Sequence, residues 1–368
     1  MCKILFFACI LLSLNVLAQE RPLDMKMEFE SYDPPSSLVV EEHHVTRSKF
    51  PFVDIHNHQG NMNNSDFKDL IGKMDKLNMA VMVNLSGRGF RSSGDHLEKS
   101  IENINNRYPN RFIVFTNIDF TDIDNPEWSA RTIKQIEDDV KRGAKGLKIF
   151  KNLGMFSKDK NGNRIPVDDP RIDPVWTKCG ELGIPVLIHV AEPKQFWQPI
   201  DSLNERWLEL KTHPGRRHDN DPVKFETIIA EQHHVFRKHP KTKFINAHLG
   251  WYGNDLKKLG ELLDQMPNMY TEIGAVIAEL GRQPRAAKAF FTKYQDRILF
   301  GKDAWEPGEY ETYFRVLETE DEYFPYHKRY HAFWRMYGIG LPDEILKKVY
   351  YKNAMKLIPG MDEKLFSK

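Results

Sequence analysis

Cysteine is scarce in this chain. Three occur in 368 residues, and Cys2 and Cys9 stand near the N-terminus. Loss of an N-terminal leader would leave Cys179 alone, which excludes an intrachain disulfide. Charge imbalance is missing too. Lys and Arg number 53 against 52 Asp and Glu, a formal net charge of +1. Neither nucleic acid nor an anionic membrane surface is therefore an expected partner. No glycine-rich phosphate loop follows the first strand-like run, which argues against an open, doubly wound nucleotide-binding sheet. The one long apolar run, residues 4–14, is shorter than the roughly 20 residues that span a bilayer.

That run has a different use. Lys3 precedes it, and Val16-Leu17-Ala18 supplies small or apolar residues where a leader peptidase cuts. Residues 1–18 are expected to be a secretory signal peptide, so the chain should be exported, periplasmic or secreted if the source is bacterial. No membrane attachment is expected after cleavage. An exported chain without disulfides must be held by its core or by a metal. Hydrophobic residues at 40% and charged residues at 29% fit a globular protein with a sizeable core.

Residues 19–50 read as an extended arm, with Pro34-Pro35 and many charges. The arm could lie across a neighbouring copy in a homo-oligomer, and His43 and His44 within it read as solvated. From residue 51 to 368 a new rhythm begins. Strand-like runs at 52–58, 79–85, 111–120, 146–150, 184–190, 243–248, 269–273 and 297–300 alternate with helix-like runs. The helices are expected at 66–77, 95–108, 126–142, 174–182, 223–238, 256–265, 285–294 and 342–357. Long irregular segments are expected after the fifth and eighth strands. Eight such units predict parallel strands with helical crossovers, closed as a (β/α)8 TIM barrel with long rim loops.

In such a barrel, functional side chains sit at the C-terminal ends of the strands. His56, His58, His189, His248 and Asp303 all fall there. His56 and His58, two apart on one strand, project to one face. Strands 1 and 8 are neighbours in a closed barrel, so Asp303 lies near the histidine pair, and His189 reaches in from strand 5. His56, His58, His189 and Asp303 form a nitrogen and oxygen set suited to one divalent ion, with zinc the expected metal. His248 is close enough to be a further ligand or an acid–base group.

The strings His56-x-His58, Ile188-His189-Val190, Asn246-Ala247-His248-Leu249-Gly250 and Phe300-Gly301-Lys302-Asp303-Ala304 resemble the amidohydrolase superfamily. More narrowly they are similar to its amidohydrolase-2 branch, metal-dependent TIM-barrel hydrolases together with decarboxylases related to aminocarboxymuconate semialdehyde decarboxylase. Tyr351-Lys352-Asn353-Ala354-Met355-Lys356-Leu357 is similar to that branch's terminal helix. The resemblance implies that His56, His58, His189 and Asp303 hold one metal. It implies that His248 acts in the pocket as an acid–base or electrophilic group.

Asp303 is then placed to take a proton from water and return it to the leaving group. Lys148, on strand 4, is expected to bind a substrate carboxylate as an ammonium, with carbamylation or a buried ion pair as alternatives. Trp197, Trp251 and Trp305 are the expected aromatic walls for a small-molecule substrate. Arg282, Arg285 and the histidines between 213 and 239 read as solvated, and His327 and His331 as structural.

These features point to a metal-dependent hydrolase acting on a small amide, ester or lactone. A metal-dependent decarboxylase of an aromatic or unsaturated acid is the runner-up. A non-catalytic barrel stapled by a metal is the alternative outside enzymes.

Overall fold

In a computed structural model, residues 25–89 and 95–367 are described. The expected signal peptide lies outside them. The chain divides into two compact units, Met1–Ser37 and Leu38–Lys368. In the first, the described residues hold one 3-10 turn, Phe29–Ser31. The second carries the sheet.

Eight parallel strands form it: β1 (Phe52–Asn57), β2 (Met79–Asn84), β3 (Phe112–Val114, resuming as Thr116–Asn117), β4 (Leu147–Ile149), β5 (Val186–Ile188), β6 (Phe244–Asn246), β7 (Met269–Glu272) and β8 (Ile298–Leu299). Each pairs with the next. The break in β3 falls at Phe115. It is bridged by backbone bonds from Phe115 N to Asn84 O, 2.9 Å, and from Thr116 N to Gly146 O, 2.8 Å. The last strand returns to the first, because Ile55 N donates to Phe300 O at 3.1 Å and Asp303 N to His56 O at 2.7 Å. The result is the expected (β/α)8 barrel.

Helices α1 (Lys68–Leu77), α2 (His96–Arg107), α3 (Trp128–Arg142), α4 (Asp173–Glu181), α5 (Phe225–Lys238), α6 (Leu256–Gln265) and α7 (Pro284–Lys293) are the crossovers. Gly143 ends α3 with a φ of 122°, a conformation that glycine adopts without a Cβ clash.

Alternate strand residues feed two apolar clusters, as parallel strands buried on both faces require. Val53, Ile55, Val81, Val83, Phe115, Leu187, Ile245 and Leu299 fill the barrel interior. Phe52, Met82, Val114, Leu147, Val186, Phe244 and Ile298 pack outward on the helices, with Trp176 and Phe236 among their neighbours. The alternation breaks at the top of β1, where its pairing with β2 slips between Asp54 and Asn57. There His56 joins Glu272 and Lys148 in a buried polar layer.

Several features depart from the expected pattern. The segment after β5 contains a short helix, Trp207–Thr212. The segment after β8 contains α8 (Tyr310–Glu318). Tyr310, Tyr313, Phe314 and Leu317 carry the i, i+3, i+4, i+7 period of a buried helical face, which the expectation of an irregular segment overlooks. The terminal helix is not uniform. Asp343–Lys347 and Asn353–Leu357 are α-helical, and Lys348–Lys352 between them is a π turn. Within that turn Val349 O accepts from Phe300 N at 2.9 Å, which ties the helix to the end of β8. Asn353 Nδ2 adds bonds to Gln295 O, 2.8 Å, and Ile298 O, 2.7 Å.

Residues 38–50 belong to the barrel's own unit. His43 is exposed as expected, and its N and Nδ1 also meet Asp321 at 2.7 and 2.6 Å. Arg47 Nη2 donates to Asn78 Oδ1 at 2.8 Å.

Phe300 packs on Phe52, 4.8 Å between centroids, on Tyr350, 5.5 Å, and on Tyr313, 5.8 Å. It plugs the β8–β1 seam. Phe300→Ala is expected to lower the unfolding free energy by about 3–5 kcal/mol in urea titrations, the usual loss for a buried phenylalanine.

Candidate metal centre

The C-terminal ends of β1, β5, β6, β7 and the turn after β8 meet in one polar cluster. His56 Nε2 lies 3.3 Å from Asp303 Oδ1, and His58 Nε2 lies 3.8 Å from the same oxygen. His56, His58 and Asp303 thus present ligand atoms close enough to share one ion. His189 stands behind them, its ring 6.4 Å from that of His56.

Glu272, at the end of β7, organises this cluster. It is fully buried. His56 Nδ1 donates to its Oε1 at 3.0 Å, and the His248 backbone N donates to the same oxygen at 2.7 Å. Its other oxygen accepts from Gly274 N. With Nδ1 carrying the proton, His56 keeps the Nε2 lone pair toward Asp303. The sequence reading missed Glu272, whose one signal was its position at the end of the seventh strand-like run.

A second chain of bonds sets His189. His248 Nδ1 donates to Gly274 O at 2.8 Å, so His248 Nε2 carries the lone pair. It accepts from His189 Nδ1 at 3.3 Å. His189 Nε2 therefore also carries a lone pair, and among the described residues it is buried without a hydrogen-bond partner. His58 Nδ1 pairs with Ser86 Oγ at 2.8 Å. An orphaned imidazole nitrogen beside two more and a carboxylate fits a divalent cation. His248 has both ring nitrogens engaged, one of them holding His189, and it lines the cavity beside Asp303.

Electrostatics agree with that fit. Burial pushes the pKa of His58 down to about 4, and those of His56 and His189 well below the usual histidine value, with the Lys148 charge acting in the same direction. All three are neutral at pH 7, the form that binds metal. Burial alone would raise Asp303. The neighbouring His56, His248, His58 and Lys148 outweigh it and hold the carboxylate at about 2.

The backbone around the cluster is strained. Non-glycine residues with positive φ include Ala191, His248, Leu249, Trp251, Ala275 and Asp303. All follow strand ends, and His248 to Trp251 form a left-handed run with φ between 54° and 61°. Each non-glycine residue there costs roughly 1–2 kcal/mol. Strain of this kind clusters at functional sites.

A cavity of about 260 Å³ opens over the cluster. Trp251 lines it, stacks on His248 at 4.7 Å and donates from Nε1 to Val190 O. Trp197 and Trp305 are not among its walls. Trp197 donates to Val223 O and stacks on His218, and Trp305 packs on Tyr310.

Lys148 does not line the cavity either. It is buried with Nζ 3.2 Å from His56 Nε2, and burial lowers its pKa to about 7. Lys151, by contrast, does line the cavity and pairs with Glu192. His327 and His331 are there too, brought in by the loop after α8.

Glu272→Gln is expected to weaken divalent-metal binding by about 10–100-fold in competition titrations, because the partner that fixes the His56 tautomer is altered. Metal retention should be flat from pH 8 to about 5.5 and fall only at lower pH. Protons compete for His58 only as the pH drops toward its depressed pKa of about 4. Metal content after dialysis across that range checks it.

No curated protein matches the sequence. Solved structures do match. A TIM-barrel protein from Bordetella bronchiseptica is 14% identical with a TM-score of 0.53, covering 83% of this chain and 98% of its own. A 2,6-dihydroxybenzoate decarboxylase solved with 2,6-dihydroxybenzoate is 14% identical, TM-score 0.50, covering 87% and 100%. A dihydroxybenzoic acid decarboxylase from Polaromonas sp. JS666, solved with manganese and 2-nitroresorcinol, is 12% identical, TM-score 0.51, covering 84% and 96%. At these identities the likeness speaks for the fold. A family model described as Amidohydrolase (Amidohydro_2) matches residues 53–360, almost the whole barrel. The chain belongs to this amidohydrolase family.

Proposed function

We propose that this protein is an exported metal-dependent hydrolase that adds water to the carbonyl of a small amide, ester or lactone. His56, His58, His189 and Asp303 would hold one divalent ion, zinc or manganese. That ion supplies Lewis acidity and makes water nucleophilic near neutral pH. Export rests on the leader-like residues 1–18.

The observation that carries the reading is Asp303. Its carboxylate borders the cavity, is held ionised, and faces two neutral imidazoles. It takes the proton of the attacking water and delivers it to the leaving group as the C–N or C–O bond breaks. Glu272 and His248 keep His56 and His189 in place. The φ of 83° at Asp303 and the bond from its N to His56 O fix where the carboxylate stands.

Decarboxylation in the same fold is the competing reading, and the structural neighbours that are decarboxylases keep it in view. One observation favours hydrolysis over a substrate anchored by its carboxylate on a side chain: every cationic side chain lining the cavity already has a carboxylate partner.

Mass spectrometry of the purified protein should find about one equivalent of metal, lost in His56→Ala. Asp303→Asn should lower kcat by about 10²–10⁴-fold, the range of a general base, on whichever ester, amide or lactone is turned over. Release of carbon dioxide from an aromatic acid without uptake of water would replace hydrolysis with decarboxylation.

A further inference from the structure

Helix α8 turns two tyrosines toward the barrel, three residues apart, and their hydroxyls meet opposite kinds of partner. Tyr310 Oη donates to the buried Asp54 carboxylate at 2.6 Å. Tyr313 Oη instead accepts from Ala275 N at 2.9 Å. A phenol that accepts from an N–H still has its own proton to place. Among the described residues no acceptor meets that proton. Tyr313 is 1% exposed, and it borders the cavity over the metal centre together with Ala275, His248 and Asp303. That cavity is the space left for the proton.

The phenol is held from two sides. Ala275 adopts a left-handed φ of 56°, and this turn aims its N–H at Tyr313 Oη. One residue earlier, Gly274 N bonds to Glu272 and Gly274 O to His248. The turn after β7 thus ties Tyr313 to the two residues that set His56 and His189. On the other side the Tyr313 ring packs on Phe300 at 5.8 Å. A donor fixed in this way needs no reorganisation when charge develops beside it. Burial, and after it Tyr326, raises its pKa well above the usual tyrosine value, so it keeps its proton.

Water adding to a carbonyl puts negative charge on the carbonyl oxygen. That oxygen has lone pairs for more than one partner, so a donor from the chain adds to whatever Lewis acid the histidines and Asp303 hold. Few groups here can donate. Asp303 is ionised and only accepts. His248 has both ring nitrogens engaged. The cations of the outer wall are paired: Lys302 and Lys328 with Glu309, Arg206 and Arg216 with Glu209, and Lys151 with Glu192. Two more phenols border the cavity, Tyr326 and Tyr330. Tyr326 stands in the outer wall, where Glu309, Arg206 and Glu209 act on it, and Tyr330 stacks on His213 at 4.8 Å. Tyr313 feels Glu272 and Asp303, the carboxylates of the floor.

We infer that Tyr313 is a catalytic residue whose phenol donates a hydrogen bond to the oxygen that becomes negative as water adds to the carbonyl carbon. The inference rests on the hydrolytic reading above. In the addition, the water oxygen bonds to the carbonyl carbon, the C=O π pair moves onto the oxygen, and the water proton passes to Asp303. Tyr313 keeps its own proton throughout. As the C–N or C–O bond breaks, the carbonyl re-forms and the proton on Asp303 leaves with the departing group.

The test compares the zinc-loaded full-length protein with Tyr313→Phe, which keeps the ring and removes one oxygen. The probes are acetate, a planar carboxylate, and methylphosphonate, a tetrahedral anion shaped like the adduct of water. Calorimetric affinity for methylphosphonate should fall by about 10-fold or more in Tyr313→Phe, with that for acetate within about threefold, because a donor aimed at the adduct reads the tetrahedral form. On the ester, amide or lactone turned over, kcat should fall about 100-fold, with KM within about threefold and metal content unchanged. In the wild type, methylphosphonate should move tyrosine absorption to longer wavelength, the mark of a phenol that donates. Absence of that shift overturns the inference even where Tyr313→Phe fails to fold. Equal affinities of wild type and variant for methylphosphonate overturn it and leave hydrolysis standing. Parallel weakening of both probes, the result of a hydroxyl that only shapes the Ala275 turn, overturns it too. Carbon dioxide released from an aromatic acid overturns hydrolysis and this inference with it.

Discussion

One buried carboxylate sets the geometry on which the rest depends. Glu272 collects three N–H donors from three places: the His56 ring, the His248 backbone and the Gly274 backbone. A fully buried carboxylate is costly unless its lone pairs are used, and here they are. Meeting that demand pins the ends of β1, β6 and β7 against one another. The same bonds hold His56 with its proton on the far nitrogen and support the left-handed run that begins at His248. A tautomer, a strand register and a strained turn thus share one origin.

A similar clasp joins β1 to the turn after β8. Asp54 accepts from Tyr310 Oη at 2.6 Å, Asn57 Nδ2 at 2.9 Å, Lys302 N at 3.0 Å and His56 N at 3.1 Å. Burial raises its pKa to about 6 against the pull of those donors. Asp303 sits one residue beyond Lys302, so this clasp sets the distance from the histidine pair to the carboxylate. Below it, Phe52, Phe300, Tyr310, Phe314 and Tyr350 pack as an aromatic block that keeps the seam dry. Polar precision above rests on apolar packing below, and the low dielectric of that packing strengthens each bond in the clasp.

Around this rigid floor the walls come from loops, and they follow different chemistry. The floor is neutral imidazole and one carboxylate; the walls are ion pairs. Lys302 and Asp303 are adjacent in sequence yet serve the two layers separately, one in the Glu309 cluster and the other beside His56 and His58.

The barrel was legible because its signal is local. Each strand and each of the seven crossover helices declares itself through residues a few positions apart, and observed boundaries differ from those expectations by a few residues at most. His56, His58 and Asp303 could be placed together because barrel closure makes β1 and β8 neighbours. The rest was invisible for a physical reason. Glu272 and Asp54 look like any other strand acids until distant backbone donors converge on them, and Lys148 looks like a cavity residue until its burial under His56 is seen. Trp197 and Trp251 both read as walls, and only the fold sends one to the rim packing and the other to the cavity. The amino-acid sequence by itself determined the elements, their order and the ligand-bearing strand ends, all set by short-range periodicity. Tertiary structure alone decided tautomers, pKa values and the ion-pair lining, because those depend on which groups the folded strand ends and loops turn toward one space.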